Sequence, residues 1–453
     1  MNEFIFREYD IRGIVNEDFP EKVVYNLGRA FGTFVINNNK KNIIVTGDIR
    51  LTTPNLKNQF IEGLLFCGVD VIDGGIVPTP TNYFSMYEYD FDGAVQITGS
   101  HNPSDYNGFK LSFNKKAFYG KQIQELKNII LNNKFIKAQK GTLGKKNIIP
   151  DYKKMLLEKI KISRPLSVAM DCGNASGCLV APEIFEDLKI NTTKLYCNVD
   201  GTFPNHHPDP TVDKNLDVLV KTIKNNHYDF GVAYDGDADR IVVVDEKGNI
   251  IRSDILMAIF LPELISKGDK IIYDVKCSKS LEDEITRLGG KPIIWKTGHS
   301  LIKDKMYREK SKFGGEMSGH IFFADNFYGF DDAIYVSLRL AQLLSKQNKT
   351  LSQIISKIPK YFSTAELRFD CKNDEEKFKI SKKALNYFQK NYQCDTIDGV
   401  RINFQDGWGL VRASNTQPVI VCRFEAKTED KMHVIKKEIL NKLKEFGDIK
   451  LEF

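Results

Sequence analysis

The sequence predicts an α/β protein of three related mixed α/β domains followed by a C-terminal α+β domain. Two observations carry this. A strand–helix–glycine–strand pattern recurs three times before residue 300, and beyond residue 360 it gives way to alternating strands and two long amphipathic helices. The length agrees, because 453 residues exceed one core at roughly 100–200 residues per domain.

The first copy begins with Asn42-Ile-Ile-Val-Thr-Gly-Asp48, an apolar strand closed by an aspartate. Thr53 is the expected N-cap of the next helix and Pro54 its first residue, where a missing N–H costs nothing. Leu56, Phe60 and Leu64 make its apolar stripe, Gly68 ends it, and a strand over 69–72 follows. The second copy runs from Leu166-Ser-Val-Ala-Met-Asp171 through helical spacing over 181–188 to a strand over 193–196. The third runs from Lys270-Ile-Ile-Tyr-Asp274 through a helix over 281–288 and Gly289-Gly290 to a strand over 292–295. Each reads as a βαβ unit, with parallel strands and a right-handed crossover. The lysine-rich stretch 134–147 reads as a solvated linker. The expected domains are 1–146, 147–248, 249–360 and 361–453. In the last, strands are expected over 364–369 and 419–425 and helices over 375–392 and 427–446.

Charge and composition narrow the class. Lysine and arginine total 65 against 59 acids, a surplus of +6 with both signs interleaved, which an anionic small substrate fits equally well, and the basic stretch 134–146 reads as solvated rather than as a nucleic-acid patch. The eight cysteines form no Cys-x-x-Cys pair, and Cys67, Cys197 and Cys422 read as buried thiols. No signal peptide and no apolar run of membrane-spanning length is evident, so a cytoplasmic protein is expected.

Four stretches carry chemistry. The apolar strand from Gly93 runs into Thr98-Gly-Ser-His-Asn-Pro103, an exposed loop fed by a buried strand, with Ser100 at its mouth. A nucleophile elbow needs glycines two residues either side, where Thr98 and Asn102 stand. Spacing leaves a turn serine and a phosphoryl-carrying serine equally open. Asp235, Asp237 and Asp239 sit at spacing two, so an extended backbone turns their carboxylates to one side. Three hard oxygens with room for water and phosphate suit magnesium. A calcium loop is the rival, with Glu246 at its twelfth position, but Arg240 replaces the glycine of its sixth and the flanks read as strands. In the third unit, Glu316, Ser318 and His320 alternate within Gly314-Gly-Glu-Met-Ser-Gly-His320, and a carboxylate beside a hydroxyl suits sugar hydroxyls. Arg412-Ala-Ser-Asn-Thr-Gln-Pro418 offers a guanidinium fork, hydroxyls and backbone N–H groups, a cradle for phosphate.

With Arg7-Glu-Tyr-Asp-Ile-Arg-Gly13, Asp200-Gly-Thr-Phe-Pro-Asn-His-His-Pro-Asp-Pro210, Asp274-Val-Lys-Cys277 and Trp295-Lys-Thr-Gly-His-Ser300, these stretches resemble the α-D-phosphohexomutases, most closely the bacterial phosphomannomutase/phosphoglucomutase branch. The resemblance covers essentially the whole chain. It implies four domains around a central cleft, the last of them TATA-box-like. It implies that Ser100 is phosphorylated and, with Asp235, Asp237 and Asp239, binds Mg2+. Glu316, Met317, Ser318 and Gly319 would form the sugar-reading loop, and Arg412, Ser414, Asn415 and Thr416 would hold the non-reacting phosphate. Tyr9, Arg12, Lys276, His299 and His320 match substrate or phosphate contacts, and Lys110 and Arg240 match residues beside the reacting group.

The implied reaction moves a phosphoryl group between the 1 and 6 positions of a hexose phosphate through a 1,6-bisphosphate of glucose or mannose. His299 or Lys110 is the expected base. The loop Gly-Glu-Met-Ser-Gly-His suits glucose and mannose phosphates, with phosphoglucosamine mutase and a non-catalytic sugar-phosphate binder as alternatives. A monomer that binds neither nucleic acid nor membrane is expected.

Overall fold

The computed structural model describes residues 1–414, 418–447 and 449. The chain divides into two compact units, Met1–Leu256 with Ser318–Ile355, and Met257–Met317 with Ser356–Phe453.

In the first unit, the strands order as Ile11–Ile14, Tyr106–Phe113, Gly93–Ile97, Asn42–Gly47, Asp70–Ile76 and Leu143–Lys145. Asn42–Gly47 runs parallel to both Gly93–Ile97 and Asp70–Ile76, which confirms the first βαβ unit. Its helix, Thr53–Phe66, has Thr52 rather than Thr53 at the N-cap, and Thr53 Oγ1 instead donates to Asp48 at 2.7 Å. The helices Glu21–Asn37 and Thr53–Phe66 pack closely because Gly28 and Gly63 face each other's backbones. Phe31, Phe60 and Phe109 lie in the core between helices and sheet.

The stretch 134–147 is strapped down rather than free. Leu143–Lys145 pairs with Asp70–Ile76, and Thr142 donates twice to Asp70 Oδ1. The open edge of that strand supplies the reason, since its backbone groups otherwise lack partners.

A second sheet orders Ile250–Ile251, Ile241–Asp245, Phe230–Tyr234, Ser167–Asp171 and Asn191–Leu195. Phe230–Tyr234, Ser167–Asp171 and Asn191–Leu195 are parallel, and Ile241–Asp245 turns back antiparallel. The helix Ala333–Ser345 packs on it, and Tyr234 and Ser337 share a 2.7 Å hydrogen bond in its core.

In the second unit, Lys291–Trp295, Lys270–Asp274 and Phe313–Gly315 are parallel, with Lys279–Arg287 as the crossover helix. The last domain is an antiparallel sheet in which Val419–Ala426 pairs with Gly407–Ala413, and Val400–Asn403 follows. The helices Asp374–Asn391 and Glu429–Lys444 close its core through Ile380, Phe388, Ile435 and Ile439.

The aspartate that closes the first strand of each βαβ unit has a consistent job. Asp48 accepts the Arg50 and Gly99 N–H groups, Asp171 accepts Gly173 N–H and meets His206, and Asp274 accepts Thr297 Oγ1 and Met317 N–H. All three are buried. Cys67 and Cys422 are buried as expected, whereas Cys197 is half-buried, and every cysteine is a free thiol.

Candidate active site

The strand Gly93–Ile97 delivers the chain to a tight turn in which Ser100 adopts a left-handed φ of +48°. Few non-glycine residues do so, and the conformation is retained where surroundings over-determine it. The serine is buried, and its Oγ donates to Asp235 Oδ2 at 2.9 Å and lies 3.1 Å from His101 Nδ1. Desolvation first, then the guanidinium groups of Arg240 and Arg12, hold His101 well below the usual imidazole range.

Residues 235–239 follow the strand Phe230–Tyr234 as a turn, not as the extended segment that alternate spacing suggests. Ala238 has φ of +60°, and Asp235 Oδ1 accepts the Asp239 and Arg240 N–H groups, each at 3.1 Å. The turn, rather than a pleat, brings Asp235, Asp237 and Asp239 together. Each is buried and offers an oxygen, all within 4.8 Å of one another. Burial and the charges of Asp239 and Asp237 raise the Asp235 carboxyl well above its ordinary range. Burial also opposes charge on Asp237, but Lys110 outweighs it and holds that carboxyl down.

Lys110 comes from the strand Tyr106–Phe113, opposite Gln96. Its Nζ donates to Asp237 at 2.7 Å and to Asp239 at 2.5 Å. Thr79 Oγ1 donates to the same Asp237 oxygen at 2.5 Å. Among the described residues, the buried Asp237 Oδ1 and Asp239 Oδ1 accept no hydrogen bond. Carboxylate oxygens left bare inside protein are costly, and a hard divalent cation fits them. The calcium-loop alternative fails, because Glu246 accepts from Ser352 and strands flank the turn.

Arg12 reaches the serine loop from the neighbouring strand, its guanidinium donating to Asn102 Oδ1 at 2.7 Å and to Asp10. Arg240 Nε donates to His320 Nε2 at 2.9 Å, and His320 Nδ1 lies 2.9 Å from the buried Asp331. Gly319 sits against Ile241 with φ of +109°, where a Cβ would meet the Ile241 carbonyl oxygen at 2.9 Å. Ser318 and Tyr9 also belong to this unit, Tyr9 half-buried.

Glu316 and Met317 belong to the second unit. Glu316 is buried, and Oε1 accepts the Gly298 N–H at the start of the helix His299–Glu309. His299 is that helix's first residue. Lys276 Nζ lies 3.2 Å from Glu366 and 3.8 Å from Asp274, and Arg412 lies 3.1 Å from Asp398. Desolvation works against the charge on Lys276, but those two carboxylates overcome it and raise its pKa. Ser414 is buried beside Arg412, while Asn415 and Thr416 lie outside the described residues.

Sequence reasoning missed Arg50, Thr79, Asp331 and Glu366. Arg50, Thr79 and Glu366 act through partners far along the chain, Asp331 through the nearby His320, and none falls in a motif with its own spacing signal.

Family models for the phosphoglucomutase/phosphomannomutase α/β/α domains I, II and III match residues 3–137, 150–248 and 252–362, and the model for the C-terminal domain matches 366–442. The chain belongs to this family. It is 41% identical to a phosphomannomutase/phosphoglucomutase of Pseudomonas aeruginosa over 97% of this chain and 95% of that protein. It is 40% identical to a phosphoglucomutase of Neisseria meningitidis serogroup A over 94% of this chain and 93% of that one. A crystal structure of a family protein from Burkholderia thailandensis superposes with a TM-score of 0.92 at 36% identity, covering all of both chains. The chain is therefore a mutase, an isomerase that transfers a phosphoryl group reversibly, and the four-domain α/β architecture read from the sequence is the family's. No helix among the described residues is long and apolar enough to cross a membrane.

Proposed function

We propose that the chain interconverts the 1- and 6-phosphates of glucose and mannose, with Ser100 as the phosphoryl carrier and Mg2+ held by Asp235, Asp237 and Asp239. The observation that carries this reading is the 2.9 Å contact of Ser100 Oγ with Asp235, at the edge of a buried three-carboxylate cluster. A bound Mg2+ supplies positive charge to the oxygens of the transferring group.

The chain's own residues do the rest. A phosphoryl group on Ser100 Oγ is attacked by the free hydroxyl of the hexose phosphate. The new P–O bond forms as the Oγ–P bond breaks, the hydroxyl proton passes to a base, and Ser100 Oγ takes a proton back. The 1,6-bisphosphate then returns its other phosphoryl group to Ser100 by the reverse steps. Lys110 and Arg240 offset charge on the transferring group, and Arg12 ties the serine loop to its neighbouring strand through Asn102. Lys110 is held as an ammonium between two carboxylates, which argues against it as the base. His320 Nε2 already accepts a hydrogen bond from Arg240, which occupies the lone pair a base would need and leaves His299 as the candidate. Glu316 and Ser318, with Met317 and Gly319 shaping the loop, read sugar hydroxyls, and Lys276, Arg412, Ser414, Asn415, Thr416 and Tyr9 steady the substrate. A loop that reads hydroxyls away from C2 tolerates both sugars.

Coupled assays on glucose, mannose and glucosamine 1-phosphates, with and without glucose 1,6-bisphosphate, test the reading. Comparable turnover of the first two is expected. A large preference for glucosamine 1-phosphate overturns the substrate assignment.

A further inference from the structure

The mutase reading leaves the motif Asp200–Pro210 without a task, and leaves open how Ser100 is kept in a left-handed turn. One side chain connects the two. Arg50 is buried, and its two terminal nitrogens donate four hydrogen bonds to backbone carbonyls of the serine loop. One nitrogen serves Ser100 at 2.8 Å and Asn102 at 2.5 Å, and the other serves Pro103 at 2.5 Å and Tyr106 at 3.0 Å. Its Nε faces Asp48 Oδ2 at 3.2 Å, and that same carboxylate oxygen accepts the Gly99 N–H at 3.1 Å. The loop is thus gripped by its carbonyls and by an N–H from one ion pair.

The grip is close. A Cβ on Gly99 would lie 2.5 Å from the Arg50 guanidinium carbon, so only glycine fits there. From the second domain, the Phe203 ring lies 5.2 Å from that carbon, in cation–π range. Phe203 itself holds a left-handed φ of +53°. Gly201 is pressed on the Ile49 carbonyl, where a Cβ would meet oxygen at 2.5 Å, and Gly236 of the aspartate turn is pressed on the Ser100 carbonyl. Three loops meet through bare α-carbons, at the Arg50 guanidinium, beside the Arg50 backbone and at the Ser100 carbonyl that Arg50 holds.

We propose that Arg50, braced by Phe203, is a positioning residue that fixes the Ser100 loop against the aspartate turn, so that Oγ stays aligned for phosphoryl transfer. This rests on Ser100 as the carrier. Only a planar fork with five N–H donors meets this set of acceptors, so lysine is not an equivalent. Alignment errors cost turnover rather than substrate binding.

The test is steady-state kinetics of Arg50→Lys, Arg50→Met, Phe203→Leu and the Arg50→Lys/Phe203→Leu double variant. Each is paired with a thermal melt and with the rate at which glucose 1,6-bisphosphate loads phosphate onto the protein by intact mass. Arg50→Lys is expected to lower kcat by about 10²-fold with KM for glucose 1-phosphate within about threefold. Loading should fall in parallel, and Arg50→Met should be slower still. Phe203→Leu, which spares the fork, should lose about three- to tenfold in kcat, and the double variant should match Arg50→Lys within about twofold, because both act through one group. A kcat for Arg50→Lys near wild type with only a lower melting temperature overturns the proposal, as does additivity of the two substitutions. Failure of Ser100→Ala to abolish loading would instead defeat the carrier assignment.

Discussion

Two buried lysines, one in each unit, are each flanked by two acids, and the contrast separates chemistry from recognition. Lys110 lies 2.7 and 2.5 Å from Asp237 and Asp239, which are fully enclosed and share their turn with Asp235. The direct ion pairs there set one ammonium against a cluster of three carboxyl groups, which leaves a place for further positive charge. Lys276 lies 3.2 Å from Glu366, whose side chain is 20% exposed, and 3.8 Å from Asp274. Arg412 beside it is matched by Asp398. These two cations face three acids, of which Glu366 and Asp398 are partly exposed. The first environment is a fully buried cluster of carboxylate oxygens within 4.8 Å of one another, and the second a set of ion pairs in which Glu366 and Asp398 are partly exposed.

The largest test of this contrast is Ser100→Ala. It should reduce turnover by about 10⁴-fold or more and remove the covalent phosphate seen by intact mass. Retained phosphate on the variant would move the chemistry elsewhere. Next, Asp237→Asn should cost about 10²- to 10³-fold in kcat, a loss that added Mg2+ does not repair, while EDTA should silence the wild type until Mg2+ is restored. An EDTA-resistant enzyme would break the assignment of the acidic turn.

In the second unit the expected signature changes from kcat to KM. Arg412→Ala should raise KM for glucose 1-phosphate by about tenfold with kcat within about threefold, read from initial rates. A collapse of kcat at unchanged KM would erase the distinction drawn here. The smallest effect concerns stability. Lys276, chiefly, holds the Glu366 carboxyl down to about 2, below its ordinary 4.5. Its contribution is full above pH 4.5 and fades as pH falls through about 2. Glu366→Gln should therefore lower unfolding free energy by about 1–2 kcal/mol at pH 7. The gap to wild type in urea melts should narrow as pH drops below 4.5, and a gap that widened would contradict the ion pair.

Much of this is legible in the residues. Apolar runs closed by aspartate and glycine place all three βαβ units, and the tail's helices fall within a few residues of their expected limits. The three aspartates stand out because clustered anions repel unless a cation joins them, and Ser100 because it follows a buried strand into a polar loop. What escapes has a common cause. Arg50 binds carbonyls 50 to 56 residues away, and backbone acceptors leave no mark on composition. The aspartate turn reads as extended because spacing of two fits a pleat, whereas Ala238 bends the chain through a conformation that alanine rarely takes. The stretch 134–147 reads as a linker because lysine and asparagine say nothing about a neighbouring open strand. The helix Ala333–Ser345 is enclosed nearly all round, so it lacks the polar face by which a surface helix is recognised.

The carboxylates of Asp48, Asp171 and Asp274 carry a lesson about descent. A unit copied with such an anchor at the mouth of its first strand brings along a mooring for whatever segment comes to lie there. In one copy the moored segment is the serine loop at Gly99, in another the 200–210 loop at His206, and in the third the loop at Met317. Exchanging those segments among the three frames, with the aspartates kept, is where a new specificity could be grafted at least risk to the scaffold.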